Sequence, residues 1–189
     1  MTALVEALNA LPGAPAALEE GLRAYADMLG FYNRRLNLVA RTDTDDLLNR
    51  HIAHCLWLAR YPYAPHTVVL DWGTGGGLPL IPLALALPQV AFVGVDAVEK
   101  KTLAVRQMAR QLGLENVDVV AGRAEHLSIP HTHSVSRATA PLLTLWNWHA
   151  QNALSTGQQQ GAPDLICLKG GDLDEEIRAL TTAHPVGVA

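Results

Sequence analysis

Residues 71–77, which read DWGTGGG, place an acidic residue just before a turn that is rich in glycine. Gly73, Gly75 and Gly77 stand at every second position, and glycine permits a tight turn whose backbone a ligand can touch. Asp96 follows about 20 residues later. An acidic residue at this distance from a glycine-rich turn accepts hydrogen bonds from the ribose hydroxyls of a bound nucleotide. This pattern predicts a site for a ligand that contains a nucleoside.

Asp71 distinguishes between two candidate ligands for this turn. A carboxylate there would repel the pyrophosphate of a dinucleotide, whereas it would attract the sulfonium and ammonium groups of S-adenosylmethionine. The spacing Gly-x-Gly-x-Gly also differs from the dinucleotide spacing Gly-x-Gly-x-x-Gly. We therefore predict S-adenosyl-L-methionine as the cofactor, with an NAD-dependent oxidoreductase as a less favoured alternative. The sequence assigns no role to Trp72.

The elements that must position these residues alternate between strands and helices from about residue 66 onward. Strands are predicted at 67–72, 91–97, 117–122, 134–138 and 164–170, with helices near 78–87, 99–112, 141–154 and 174–182. This alternation predicts an α/β fold with a mostly parallel sheet and helices on both faces. Three further helices are predicted before residue 65. We expect an N-terminal helical extension at 1–65 and a Rossmann-like domain at 66–189, within one compact unit.

Composition excludes several classes of protein. The formal net charge of −4 over 189 residues argues against a general DNA binder, which would normally be basic. No apolar run reaches the roughly 18–20 residues that cross a membrane, and no basic segment precedes the first apolar residues, so we expect a cytoplasmic protein without membrane contact. Cys55 and Cys167 are too far apart for a disulfide framework. His126, His131 and His133 form a loose cluster, and we expect no metal.

The chain resembles the glucose-inhibited division protein B family from about residue 20 to residue 180. The motifs are FYNRRLNLVA (31–40), RHI (50–52), DWGTGGGLPLIPLAL (71–85), Asp96, GLENVDVVAGRAE (113–125), SRATAPL (136–142) and LKG (168–170). Members of this family are 16S ribosomal RNA guanine-N7 methyltransferases. The resemblance therefore implies a class I S-adenosylmethionine-dependent methyltransferase whose partner is 16S rRNA or the small ribosomal subunit, not DNA. We favour a monomer.

The resemblance also implies which residues contact the methyl donor. By their positions in these motifs they are Gly73, Gly75, Leu78, Asp96, Ala124, Glu125 and Arg137, to which the charge argument adds Asp71. Arg123, Arg137 and Lys169 follow predicted strands three, four and five, and we interpret them as substrate-positioning residues. The alternative is that each pairs with a neighbour such as Glu125 or Asp172. Arg34, Arg35, Arg41 and Arg50 either hold the RNA backbone or are solvated.

The expected chemistry requires no base and no nucleophile. The N7 atom of guanine already carries a lone pair in the ring plane, so the protein has only to align sulfur, methyl and N7. The residues after strand four read SRATAPL, where exocyclic amino methylases carry an Asn/Asp-Pro-Pro-aromatic motif. Cys55 and Cys167 lie in apolar patterns typical of packed core thiols.

The sequence departs from the family at several places. His54 and Cys55 replace an Asp-Ser pair, Leu80 replaces a glycine, and HTHS (131–134) replaces a run of valines. The family fold ends in an antiparallel pair of strands, whereas this chain ends at HPVGVA soon after its last predicted helix, so we expect that hairpin to be short or missing. These departures leave open a nucleotide-binding Rossmann module without methyltransferase activity.

Overall fold

A parallel β-sheet of five strands forms the centre of the computed structural model, which describes residues 2–39, 46–154 and 164–184. The strands are β1 (Val68–Trp72), β2 (Ala91–Asp96), β3 (Val117–Ala121), β4 (His133–Arg137) and β5 (Leu165–Leu168). They lie in the order β3-β2-β1-β4-β5, and every neighbouring pair is parallel. The described ranges contain no antiparallel strand. The predicted α/β fold with a parallel sheet is confirmed.

The strand order reverses between β1 and β4, and this reversal locates the site. The chain leaves β1 toward β2 on one side and reaches β4 on the other, so the connections after β1 and β4 diverge. A crevice of this kind, at the carboxyl ends of parallel strands, is where open α/β sheets bind ligands. We call this side of the sheet the carboxyl edge and the opposite side the amino edge.

Seven α-helices and three short helical turns connect the strands within the described ranges. The helices are α1 (Ala3–Asn9), α2 (Leu18–Leu36), α3 (Ala53–Leu56), α4 (Leu80–Ala86), α5 (Glu99–Gln111), α6 (Leu142–Asn152) and α7 (Asp174–Ala183). A π-helical turn spans Leu48–Ile52, and 3-10 turns span Trp57–Arg60 and Ala124–His126. Helix α4 begins two residues later than its proline pattern suggests, with Pro79 at the capping position and Pro82 in the first turn.

Helix α2 runs the full height of the sheet, from the amino edge to the carboxyl edge. Near its start, a Cβ atom on Gly21 would lie 2.9 Å from Leu85, in the last turn of α4. Nearer its end, the Tyr25 hydroxyl donates to the Gly76 carbonyl at 2.9 Å. The N-terminal helices are therefore linked to the sheet by packing, because one hydrophobic core contains buried residues from both. The boundary at residue 65 stays a prediction.

The alternation of side chains along β1 explains Trp72. Val69 packs into the core that includes the N-terminal helices, whereas Leu70 and Trp72 pack into a second core with Leu145 of α6. Trp72 is fully buried, and its indole contacts the rings of His131 and Trp148 at centroid distances of 5.8 and 5.9 Å. Trp72 therefore fills the space between the sheet and α6.

The segment HTHS (131–134) supplies buried polar groups to the same side of the sheet. The Ser134 hydroxyl lies 2.7 Å from Nδ1 of His149, and Nε2 of His131 lies 3.3 Å from that atom. Burial lowers the pKa of His131, which favours its neutral form. These hydrogen bonds replace the purely apolar packing that a run of valines would give. In the part of the chain that the structure describes, no helix is both long and apolar enough to cross a membrane.

Candidate functional site

The glycine turn after β1 lies at the carboxyl edge and is held from two sides. Gly73 has φ +74°, and a Cβ atom there would lie only 2.2 Å from the Thr139 side chain, so only glycine fits. The Thr139 hydroxyl in turn donates to the Trp72 carbonyl at 3.0 Å. On the other side, a Cβ atom on Gly76 would lie 2.7 Å from Leu29 of α2. The turn is therefore fixed between the segment after β4 and α2.

Gly75 is the most open position of the turn. It has φ +54°, yet the nearest atom to a Cβ there is the Leu38 carbonyl oxygen, at 3.7 Å. Its N–H donates to Oδ2 of Asp96 at 3.0 Å, and Oδ1 of Asp96 accepts from the Val98 N–H at 2.8 Å. Asp96 thus joins the end of β2 to the glycine turn, and its contact with a ribose stays a prediction. Since a carboxylate oxygen accepts more than one hydrogen bond, Asp96 retains capacity for two ribose hydroxyls.

Asp71 lies beneath the glycine turn and is fully buried. Within the described residues neither carboxylate oxygen makes a hydrogen bond of good geometry, although the Thr74 hydroxyl and the Leu80 N–H are close enough to stabilise its charge in part. Burial raises the pKa of Asp71 to about 7. Asp71 lies two residues after Val69 on β1 and so on the same face, toward the N-terminal helices, where its charge adds to the rise in the pKa values of Tyr25 and Cys55 that burial mainly causes. Direct contact between Asp71 and a ligand stays a prediction.

Arg137 ends β4 and reaches toward the π-helical turn. Its Nη2 atom lies 2.5 Å from Nδ1 of His51, which is 8% exposed. Because a guanidinium can only donate, Nδ1 of His51 accepts and carries no proton. Burial raises the pKa values of Tyr25 and Cys55, and the positive charge of Arg137 partly offsets that rise. Arg137 and Asp71 therefore place opposite charges around the same buried groups.

Lys169 does not point freely into solvent. Its side chain is 12% exposed, and Nζ donates to the Ala140 carbonyl at 2.8 Å and to Oε2 of Glu176. The same Glu176 oxygen accepts from the Leu142 N–H at 2.8 Å. The partner is Glu176 and not the Asp172 suggested by the sequence. Lys169 thus joins the loop after β4 to α7, and a direct contact between Lys169 and substrate stays a prediction.

The residues that follow β3 lie at the carboxyl edge, where that strand ends. Ala124 is buried within the 3-10 turn, and Glu125 beside it is exposed. Arg123 is 71% exposed and forms only a loose ion pair with Glu125, at 3.8 Å. Leu78 is buried at the end of the glycine turn. The structure brings Gly75, Asp96, Ala124 and Glu125 to one edge, with Leu78 below them.

The cysteines are not activated nucleophiles. Burial raises the pKa of the Cys55 thiol to about 12 and that of Cys167 to about 11. The interpretation as a packed core thiol is confirmed for Cys55, whereas Cys167 is partly buried against the core that contains Trp72. Within the described residues there is no group of three or more histidine, cysteine or acidic side chains that could hold a metal ion.

Comparison with known proteins decides the family. The family model GidB, described as rRNA small subunit methyltransferase G, matches residues 18–186. The chain belongs to this family. The methyltransferase G of Salinibacter ruber is 44% identical over 173 residues, covering 90% of this chain and 80% of the relative. The Chlorobaculum tepidum protein of that name is 41% identical over 155 residues, covering 81% and 69%.

Solved structures agree with this family in fold. Precorrin 8w decarboxylase from Methanobacterium thermoautotrophicum superposes with a TM-score of 0.51 at 19% identity, covering 70% of this chain and 69% of that one. TYW2 from M. jannaschii, solved in complex with AdoMet, has a TM-score of 0.50 at 13% identity, with coverage of 56% and 48%. The predicted family and class I fold are confirmed.

The residues at the carboxyl edge fit the methyl donor of methyltransferase G proteins. Gly75 leaves open space over the turn, and Asp96 presents acceptors at the end of β2. Three residues that support this site were not identified from the sequence: Tyr25, Thr139 and Glu176. Thr139 lies within the SRATAPL motif, so the motif could have indicated it. Tyr25 contacts Gly76, 51 residues away, and Glu176 contacts Leu142, 34 residues away, and periodicity shows neither contact.

Proposed function

We propose that this protein transfers a methyl group from S-adenosyl-L-methionine to N7 of a guanine in 16S ribosomal RNA. The observation that carries this proposal is the family match, which spans residues 18–186 and so includes the whole carboxyl edge. The substrate in this proposal is 16S rRNA or the small ribosomal subunit, and a substrate of this kind supports a cytoplasmic location. We favour a monomer as the active form.

The arrangement suits a transfer that needs no proton abstraction. S-adenosylmethionine supplies an electrophilic methyl group on its sulfonium sulfur. Gly73 and Gly75 allow the donor to approach the backbone, and Asp96 accepts hydrogen bonds from its ribose. Arg137 lies at the end of β4, beside the crevice where the strand order reverses, and there it can orient the donor or the incoming guanine. Catalysis then consists of alignment at near-attack distance, because N7 already carries its lone pair.

The remaining site residues take supporting roles in this proposal. Ala124 and Glu125 border the adenine, and Leu78 closes the turn from below. Arg123 and Lys169 position the RNA at the ends of β3 and β5. For Lys169 this requires that its contacts with Ala140 and Glu176 exchange for RNA phosphate. Asp71 contributes negative charge beneath the turn when it is ionised.

The test is methyl transfer from labelled S-adenosylmethionine to deproteinised 16S rRNA and to small ribosomal subunits. Nucleoside mass spectrometry of the product should detect N7-methylguanosine as the only new methylated base. The control is Gly73→Ala, in which the added methyl group would collide with Thr139, and which should lose donor binding.

Two results would overturn this proposal in different ways. Donor binding by calorimetry without methyl transfer to either substrate would favour the nucleotide-binding module. Binding of NAD in preference to S-adenosylmethionine would favour the oxidoreductase. Transfer to subunits but not to free rRNA would support the function and identify the assembled particle as substrate.

A further inference from the structure

Phe31 is an exposed aromatic side chain on the outer face of α2. It is 54% exposed, although a phenyl ring gains free energy when it is removed from water. The Arg34 guanidinium carbon lies 5.2 Å from the centroid of the Phe31 ring, and the Tyr32 ring meets it edge-on at 5.4 Å. The ring therefore has contacts with Arg34 and Tyr32 and still leaves about half of the residue open to solvent.

This end of α2 lies beside the glycine turn. Leu29, two residues before Phe31, contacts Gly76, and Leu38, just after the helix, lies against Gly75 and Gly76. Because α2 starts at the amino edge, these contacts place its last turns at the carboxyl edge. Phe31, on the outer face of these turns, therefore lies at the carboxyl edge, as the proposed donor site does.

Three exposed arginines lie on the two segments that carry or adjoin Phe31. Arg34 and Arg35 occupy the last turn of α2, and Arg50 belongs to the π-helical turn, next to the His51 that accepts from Arg137. The segment of Arg50 packs against α2, since a Cβ atom on Gly30 would lie 3.8 Å from Leu47. None of the three arginines forms an ion pair with another described residue. They outnumber Asp27 and Asp46, the exposed acidic residues nearest to them on the described parts of the same two segments, so these segments are locally positive on a chain of net charge −4.

We infer that Phe31, Arg34, Arg35 and Arg50 form an RNA-docking surface, on which Phe31 stacks an unpaired base and the arginines contact phosphates. The choice of RNA rests on the proposed function and on the charge of this surface. Aromatic side chains stack on any exposed base, whereas paired bases in a duplex are not available to them. The surface therefore holds a single-stranded part of the RNA beside the donor site.

The chain offers a matched control for this surface. Trp57 and Arg60 form a second exposed pair, with the guanidinium 5.3 Å from the ring centroid. Arg60 lines a cavity together with Gln89, which precedes β2, so this pair lies at the amino edge. It has the same chemistry as the pair on α2 but lies on the opposite side of the sheet.

The experiment measures binding of two fluorescein-labelled RNAs by anisotropy: a hairpin with an unpaired loop, and a fully paired duplex of equal length. Wild type should prefer the hairpin, and Phe31→Ala should weaken hairpin binding about ten-fold while leaving the duplex unchanged. Phe31→Tyr should bind as wild type does. Arg34→Gln should weaken both RNAs and reduce the slope of log Kd against log salt by about one. Trp57→Ala and Arg60→Gln should change neither RNA.

Equal hairpin affinity in Phe31→Ala and wild type would overturn the docking surface, even if methyl transfer to rRNA is intact. An equal loss in Trp57→Ala would also overturn it, because the effect would then not be local to α2. A change in sedimentation of Phe31→Ala would assign the face to a second copy of the chain instead. Conversely, a Phe31-dependent hairpin preference without methyl transfer would support the surface and contradict only the proposed function.

Discussion

The Tyr25 hydroxyl donates a hydrogen bond to the Gly76 carbonyl across 51 residues of sequence. Tyr25 belongs to α2 and Gly76 to the glycine turn, so this bond joins the N-terminal helices to the turn that is proposed to hold the methyl donor. Both groups are buried. The N-terminal helices are therefore part of the support of the site.

Replacing Tyr25 by phenylalanine should destabilise the protein and loosen the turn. The buried Gly76 carbonyl would lose its partner, which costs about 1–3 kcal/mol. We expect a lower free energy of unfolding in urea and a several-fold weaker affinity for S-adenosylmethionine in calorimetry. Tyr32→Phe is the control, because the Tyr32 hydroxyl makes no hydrogen bond within the described residues. Equal donor affinity in Tyr25→Phe and wild type would contradict the proposed support of the turn.

Removing the Arg137 guanidinium should disrupt the alignment of the methyl donor with guanine N7. Arg137→Ala should lower the rate of methyl transfer by roughly 100-fold, the size of effect that misplacement of a reacting group produces. Donor affinity measured separately shows whether Arg137 holds the donor or the guanine. Arg23→Ala, which breaks an exposed ion pair with Glu19 near the start of α2, controls for loss of one positive charge. Turnover of Arg137→Ala at the wild-type rate would rule out a role in the reaction.

The Lys169–Glu176 ion pair should make stability depend on acid pH. The hydrogen bond from Lys169 to Glu176 is the main reason that the pKa of Glu176 is lower than its ordinary value of 4.5. A lowered carboxyl pKa stabilises the fold above that value, and the contribution is lost as pH falls through the folded pKa. Below pH 4.5, wild type should therefore lose stability more steeply than Glu176→Gln.

At neutral pH, Lys169→Met should lower the free energy of unfolding by about 1 kcal/mol, because Lys169 is only 12% exposed and ties Ala140 to α7. Urea titrations at several pH values measure both effects. Identical acid profiles for wild type and Glu176→Gln would show that the pair does not stabilise the fold.

Asp71 should produce a pH dependence of the opposite sign. Its folded pKa of about 7 exceeds the ordinary value of 3.8, so between these values the folded protein retains a proton that the unfolded chain releases. The contribution of Asp71 to stability therefore decreases as pH rises from about 4 to about 7. Relative to wild type, Asp71→Asn should gain on the order of 2 kcal/mol between pH 5 and pH 8.

Urea unfolding at pH 5 and pH 8 measures this difference, with Asp118→Asn on β3 as the exposed carboxylate control. Asp71→Asn should also weaken donor binding at pH 8, where the wild-type carboxylate is charged. A constant stability difference across this range would show that Asp71 does not titrate within it.

The arrangement of the sheet was predictable because its signals are local. Strands such as VVLDW are buried on both faces and therefore have apolar sequences, and the glycines after β1 indicate a turn. The sequence correctly indicated the glycine turn and the family.

Side-chain partners at the site were not predictable in the same way. Charge alone suggests that Lys169 meets RNA, yet its partner is Glu176, seven residues later on α7, and neither strand nor helix periodicity applies across the loop between them. Asp71 was predicted from charge to attract a cation, but its burial alters that charge near neutral pH. Trp72 becomes intelligible only once β1 and α6 are placed face to face.

The two strands that flank β4, which are β1 and β5, differ in burial, and this difference affects how the fold opens locally. Every residue of β5 is partly exposed and α7 buries none of its side chains, whereas four of the five residues of β1 are buried. Amide protons of β5 and α7 should therefore exchange with solvent through low-energy openings, and those of β1 only through global unfolding. Because Lys169 and Glu176 hold Ala140 and Leu142, each such opening would also release the chain that follows Arg137.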